Sequence, residues 1–115
     1  MNRLIESTLD NFSVGQKEVH SAYLYYQGHG EPYIVWSQVD ADNSISGDDE
    51  LIGYVDFYDF DVYSKGNFMQ IINELKRRLK EAGFTWNPSR TSADMYEEDT
   101  GYYHKTLCFS IHREV

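Results

Sequence analysis

Tyr54-Val55-Asp56-Phe57-Tyr58-Asp59-Phe60-Asp61-Val62-Tyr63, a break at Ser64-Lys65-Gly66, and then Asn67-Phe68-Met69-Gln70-Ile71-Ile72-Asn73-Glu74-Leu75-Lys76-Arg77-Arg78-Leu79-Lys80-Glu81-Ala82-Gly83 is the stretch that decides the fold. Its first part is dominated by aromatic and β-branched residues, which suit a pleated, half-buried surface. Alternation puts Tyr54, Asp56, Tyr58, Phe60 and Val62 on one face and Val55, Phe57, Asp59, Asp61 and Tyr63 on the other. Neither face is wholly apolar, and the apolar side changes near Tyr58. That pattern predicts a bulge, or a strand leaving its sheet, at this point. Beyond the break, Phe68, Ile72, Leu75 and Leu79 recur in steps of four, three and four, which is one face of a helix. Met69, Ile71 and Ala82 widen the stripe. The spacing predicts a helix over about 66–82, with Ser64 or Asn67 as the cap and Gly83 as the left-handed stop. Each large apolar side chain buried from this face stabilises the fold by roughly 1.5–3 kcal/mol, so the helix is expected to lid the sheet.

The flanking segments read as follows. Residues 2–12 predict a short helix with Leu4 or Ile5, Leu9 and Phe12 on one side. Residues 19–26 and 33–39 read as two strands forming a hairpin with a longer loop through Gly28, His29 and Gly30. Residues 40–50 read as an exposed acidic loop. Phe84-Thr85-Trp86 is a short strand, residues 93–101 are a second acidic loop, and residues 102–113 are the last strand. In that strand Leu107, Phe109 and Ile111 face the core, and Thr106, Cys108, Ser110 and His112 lie opposite. The expected architecture is a single α+β domain over residues 1–115. Its antiparallel or mixed sheet packs against one long helix and a short N-terminal helix.

The chain has 115 residues and 41% hydrophobic content, enough for one core. No apolar run approaches the roughly 18 residues of a membrane span, so no membrane contact is expected. The opening Met-Asn-Arg-Leu-Ile-Glu-Ser lacks a signal-peptide layout. The single Cys108 rules out an internal disulfide and fits a reducing cytoplasm. Formal charge is −9, and it is segregated. Eight acidic residues and no Lys or Arg fall between Asp40 and Asp61, and four more between Asp94 and Asp99. Six basic residues against two acidic ones fall between Lys65 and Arg90. Such a chain can pair with copies of itself, basic patch to acidic patch, and suits broad nucleic-acid binding poorly.

No constellation of catalytic residues stands out. The acidic run from Asp40 to Glu50 fails the EF-hand spacing, because Gly47 falls too late and no Glu closes it. His20, His29, His104 and His112 show no zinc spacing. His104 and Cys108 lie about 13 Å apart along a strand, too far for a base and its nucleophile. The carboxylate pairs Asp48/Asp49 and Glu97/Glu98 sit in loops with no apolar wall to raise a pKa. The chain is therefore read as a non-enzyme with no cofactor and no metal. Tyr residues in polar loops anchor interfaces, and Met95 and Tyr96, embedded in acids, are candidate contact residues.

Val55-Asp56-Phe57-Tyr58, Ser64-Lys65-Gly66, a helix closing on Ala82-Gly83-Phe84, and the run 94–105, Asp-Met-Tyr-Glu-Glu-Asp-Thr-Gly-Tyr-Tyr-His-Lys, together carry a resemblance. The chain resembles the tail-completion or tail-terminator (head-to-tail joining) proteins of long-tailed phages and prophages of Gram-positive bacteria. Tyr33-Ile34-Val35-Trp36 resembles the family's aromatic second strand. The likeness covers most of residues 30–113, and the run from Tyr96 to Lys105 is its most specific part. It implies an α/β protein that caps the finished tail tube as a ring, typically of six. The implied partners are copies of itself, the tail tube protein and the head-completion or connector protein. DNA would pass through without specific binding. The implied location is the virion head–tail junction, with assembly in the host cytoplasm. Candidate interface residues are Asp48, Asp49, Glu50, Arg77, Arg78, Met95, Tyr96, Glu97, Glu98 and Asp99, and the acidic loops are expected partly to face the lumen. Two alternatives stay open: an acidic DNA-mimic inhibitor, and a small ligand-binding module with Trp36 and Trp86 lining a pocket.

Overall fold

The computed structural model describes residues 2–15, 17–24, 26, 31–45, 51–66 and 68–114, with backbone alone for Asn2, 42–45, 51–52 and 113–114. The elements are α1 (Asn2–Leu9), β1 (Ser13–Val14), β2 (Lys17–Glu18), β3 (His20–Tyr23), β4 (Tyr33–Ile45), β5 (Leu51–Ser64), α2 (Phe68–Glu81), β6 (Thr85–Trp86), a 3-10 turn (Pro88–Arg90), β7 (Met95–Glu97) and β8 (Tyr102–Glu114). They form a single α+β domain with two helices and a mostly antiparallel sheet in the order β3-β4-β5-β8-β6, with β7 also on β8. Strands β4, β5 and β8 are 13, 14 and 13 residues long and set the long axis of a 52 × 26 × 23 Å molecule.

The helix face read from the sequence is buried. Phe68, Ile71, Ile72, Leu75 and Leu79 share one apolar cluster with Ile5, Leu9 and Phe12, with Ile34 and Trp36 of β4, with Tyr58, Phe60 and Val62 of β5, and with Phe84, Leu107 and Phe109. The helix is 14 residues, shorter at both ends than the expected 66–82. Ser64 and Gly66 make the turn before it, the Gly66 amide donating to Ser64 Oγ at 3.1 Å. Gly83, at φ 101°, ends it, and its amide donates to the Lys80 carbonyl.

Four expectations need correction. First, β3 and β4 are not a hairpin: they pair in parallel, His20 against Tyr33 and Tyr23 against Trp36. The chain reverses earlier, in the β1–β2 hairpin at Gly15 (φ 56°), so β3 enters the sheet already running with β4. Second, residues 40–45 are strand rather than loop, paired with β5 through Asn43 against Tyr54. Third, the apolar side of β5 never switches. Asp56, Tyr58, Phe60, Val62 and Ser64 are buried in unbroken alternation. The bulge predicted near Tyr58 lies on the opposite strand, where Gln38 pairs with Tyr58 and Asp40 with Phe57, leaving Val39 over. Buried Asp56 breaks the apolar reading of that face. Gln38 Nε2 donates to its carboxylate at 3.3 Å, one of the contacts that offset its burial. Fourth, the second acidic loop contains β7, which folds back on β8 with Tyr96 opposite Tyr103.

Candidate interaction surface

The outer border of the sheet, along β8, is built from short pieces of backbone. At one end β6 pairs with Ser110 and Phe109; at the other β7 pairs with residues 102–104. Between them the chain closes the edge with backbone and side chains together. The Asn87 backbone N–H donates to the Cys108 carbonyl at 2.9 Å, and the Ser92 backbone N–H to the Thr106 carbonyl at 2.9 Å. In return the Cys108 amide donates to Thr91 Oγ1 (3.2 Å) and the Thr106 amide to Ser92 Oγ (3.0 Å). Thr91 Oγ1 also receives the Trp86 indole N–H at 2.9 Å and donates to the Asn87 carbonyl. An edge strand that would otherwise present open donors and acceptors is thereby satisfied.

The β7–β8 hairpin is the acidic end of this border. Met95, Tyr96 and Tyr103 are exposed, Tyr96 at 55%. The Tyr96 and Tyr103 rings meet at 4.9 Å, and Tyr103 stacks at 5.6 Å on Phe68 at the start of α2. Beside them lies an open groove of about 620 Å³, lined by Lys65, Gly66, Phe68, Met69, Gln70, Asp94 and Tyr103. Glu97, Glu98 and Asp99 are exposed at the turn. Thr100 Oγ1 donates to Glu97 at 3.1 Å, and Gly101 takes the positive φ of 76° that closes the turn. Met95, Tyr96, Glu97, Glu98 and Asp99 are thus brought together on one projection.

The other sequence-read candidates do not join it. Arg77 is held on the helix surface by Glu74 (2.7 Å) and Glu81 (2.9 Å). Arg78 points inward, donating to Glu74 and to the carbonyls of Thr8, Asp10 and Asn11. Asp48, Asp49 and Glu50 lie outside the described residues, so the lumen expectation for the first loop finds no geometry here.

Sequence reading gave the basic cluster but missed its convergence with Trp86 at the other end of the border. Lys76, Lys80, Phe84, Thr85, Trp86 and Phe109 line a groove of about 410 Å³ between α2 and β6. Lys76 Nζ stands 3.8 Å from the centroid of the Trp86 ring, and Trp86 is 38% exposed. Neither lysine makes an ion pair among the described residues. The signal was present in the i, i+4 pair Lys76/Lys80 running into Phe84-Thr85-Trp86. The two tryptophans share no described pocket: Trp36 is buried in the core, and Trp86 sits on the border beyond β5 and β8.

The face of the sheet away from the helices carries an aromatic ladder. Ring centroids of Tyr26 and Tyr33 lie 4.5 Å apart, Tyr33 and Tyr63 4.8 Å, and Tyr63 and His104 4.2 Å, all near parallel. The rings face one another, so they present edges and hydroxyls outward rather than a platform for stacking. Burial, then the neighbouring Tyr63, Tyr102, Glu97 and Tyr26, pushes the Tyr33 phenol up to about 12. Further along, Arg90 reaches across β8 and β5 to Asp40 (3.2 Å) and lies 4.3 Å over the Phe57 ring. Beneath this reach Asp59 is raised by burial and by Asp61, and the Cys108 thiol is raised by burial and by Asp59. A buried thiol pushed upward is a poor nucleophile. Among the described residues no group of three or more His, Cys, Asp or Glu side chains is placed to hold a metal ion. Among the described residues no helix is long and apolar enough to cross a membrane.

In comparisons with known proteins, no family model matches the chain and no curated protein matches it.

Proposed function

We propose that this chain is a structural virion protein that completes or terminates a phage tail tube and joins it to the head connector, acting as a ring of copies. The observation that carries the reading is the sheet border, which holds an acidic, aromatic projection at one end and a basic, aromatic groove at the other. A surface bearing both halves of a complementary contact suits head-to-tail assembly, in which a rotation that closes gives a ring. The most specific run of the resemblance, Tyr96 to Lys105, falls on the projecting hairpin. The ring, of six by the resemblance, would stand at the virion head–tail junction after assembly in the host cytoplasm. Its other partners would be the tail tube protein and the connector. The DNA-mimic alternative is less well served, since a mimic needs an acidic face throughout and this border places Lys76 and Lys80 on the same edge as the acids.

The test is deletion of the gene in a lysogen, followed by induction and electron microscopy of the lysate. Filled heads beside separate tails, or tails of abnormal length, support the role. Normal infectious virions overturn it and bring the DNA-mimic reading forward.

A further inference from the structure

We propose that the occupant of the Lys76–Trp86 groove is a second copy of this chain, which inserts the tip of its β7–β8 hairpin. The inference deepens the ring reading above by naming the two surfaces, and rests on that reading for closure of the ring. The groove offers two ammonium groups and an exposed indole over an apolar floor of Phe84 and Phe109. The hairpin tip offers the complement: exposed Glu98 and Asp99, with Met95 and Tyr96 behind them. Opposite charge steers such a contact, and a Tyr or Met beside a Trp supplies its desolvated centre.

The tip cannot serve its own groove. Residues 103 and 109 of β8, which anchor the two features, are separated by roughly 20 Å of strand. The tip also lies at the start of β8, so the hairpin projects away from β6. Only another molecule can bring the two together. The contact is heterologous, each copy using its tip on one neighbour and its groove on the other. Both surfaces lie at the short border strands β6 and β7, so the contact sets one copy's border beside the next.

Two charge-reversed full-length variants test this. Lys76→Glu with Lys80→Glu makes the groove negative. Glu98→Lys with Asp99→Lys makes the tip positive, and neither acid holds a described hydrogen bond. Sedimentation of the wild-type protein is expected to show concentration-dependent association that weakens with salt. Each variant alone should associate at least about tenfold more weakly. An equimolar mixture should recover association, because every tip then meets a groove of opposite sign. Recovery also shows that both variants are folded. Tyr96→Ala should weaken association without changing its salt dependence. A wild-type protein that stays monomeric, variants that associate as the wild type does, or a mixture that stays monomeric would each overturn the proposal. The lysate experiment judges the tail role separately, whichever surfaces the copies use.

Discussion

The guanidinium of Arg78 lies 4.6 Å from the centroid of the Phe12 ring and donates to the carbonyls of Thr8, Asp10 and Asn11. One side chain of α2 therefore closes the C-terminal end of α1, where unpaired carbonyls and the negative end of the dipole both favour a cation. Removing it leaves the partly buried Thr8 carbonyl unmet, while water can reach the exposed Asp10 and Asn11 carbonyls. Arg78→Ala should destabilise the domain by about 1–2 kcal/mol in urea unfolding. Arg78→Lys should recover only part of this, because an ammonium cannot reach three carbonyls in a fork. Arg77→Ala, one residue away but solvent-facing, should cost far less.

Thr91 Oγ1 is the hub of the sheet border, accepting from the Trp86 indole and the Cys108 amide and donating to the Asn87 carbonyl. Thr91→Ala should cost about 1–3 kcal/mol, and Thr91→Ser should be mild because the hydroxyl survives. Tryptophan fluorescence should report the change, since Trp36 is buried and unaffected while Trp86 loses its indole partner. A Thr91→Ala protein as stable as the wild type would show that water replaces the hydroxyl at no cost.

Much of this frame could be read from the chain, and the failures have physical causes. The face of α2 was legible because a 3.6-residue period needs only local spacing. The pairing of β3 was not, because parallel and antiparallel neighbours bury the same alternating residues. Asp56 disguised the continuous buried face of β5, since its partners on that face, Gln38 among them, come together only in the fold. The exposure of Met95 and Tyr96 was legible because both are embedded among acids in the sequence. The groove was hidden because Lys76, Trp86 and Phe109 converge only through the α2–β6 turn and the β6–β8 pairing.

Two carboxylates should pull acid stability in opposite directions. The Arg77 and Arg78 guanidinium groups hold Glu74 down at about 2, from an ordinary 4.5. A depressed folded pKa gives stability that is present above about 4.5 and lost as pH falls towards 2. Burial, then Asp61, raises Asp59, so its ionised form opposes folding: the domain is favoured below the ordinary carboxylate range and penalised as pH rises through the folded pKa. Asp59→Asn should therefore be more stable than the wild type at neutral pH and equal to it near pH 3, an approximate point below the free carboxylate pKa. Glu74→Gln should show the reverse, losing stability at neutral pH and little near pH 2. Urea midpoints across this range read both, and a neutral-pH loss in Asp59→Asn would mean that the neighbouring Cys108 thiol, which favours the ionised carboxylate, outweighs burial.

The ladder gives an alkaline counterpart. Tyr33 stands between Tyr26 and Tyr63, and its phenol is pushed from 10.0 to about 12 by burial first and then by its neighbours; Tyr63 is also raised. A folded pKa above the unfolded value gives stability that is fully present below about 10 and lost as pH rises through 12. Spectrophotometric titration should show a late tyrosine group that ionises together with unfolding. Tyr33→Phe keeps the stacked ring and removes the proton. It should move the alkaline unfolding midpoint upward and shrink the late group, while leaving stability at neutral pH nearly unchanged. A Tyr33→Phe protein that unfolds at the wild-type alkaline pH would shift the cause to Tyr63, which shares the stack and whose phenol is raised by burial, Asp61 and Glu97.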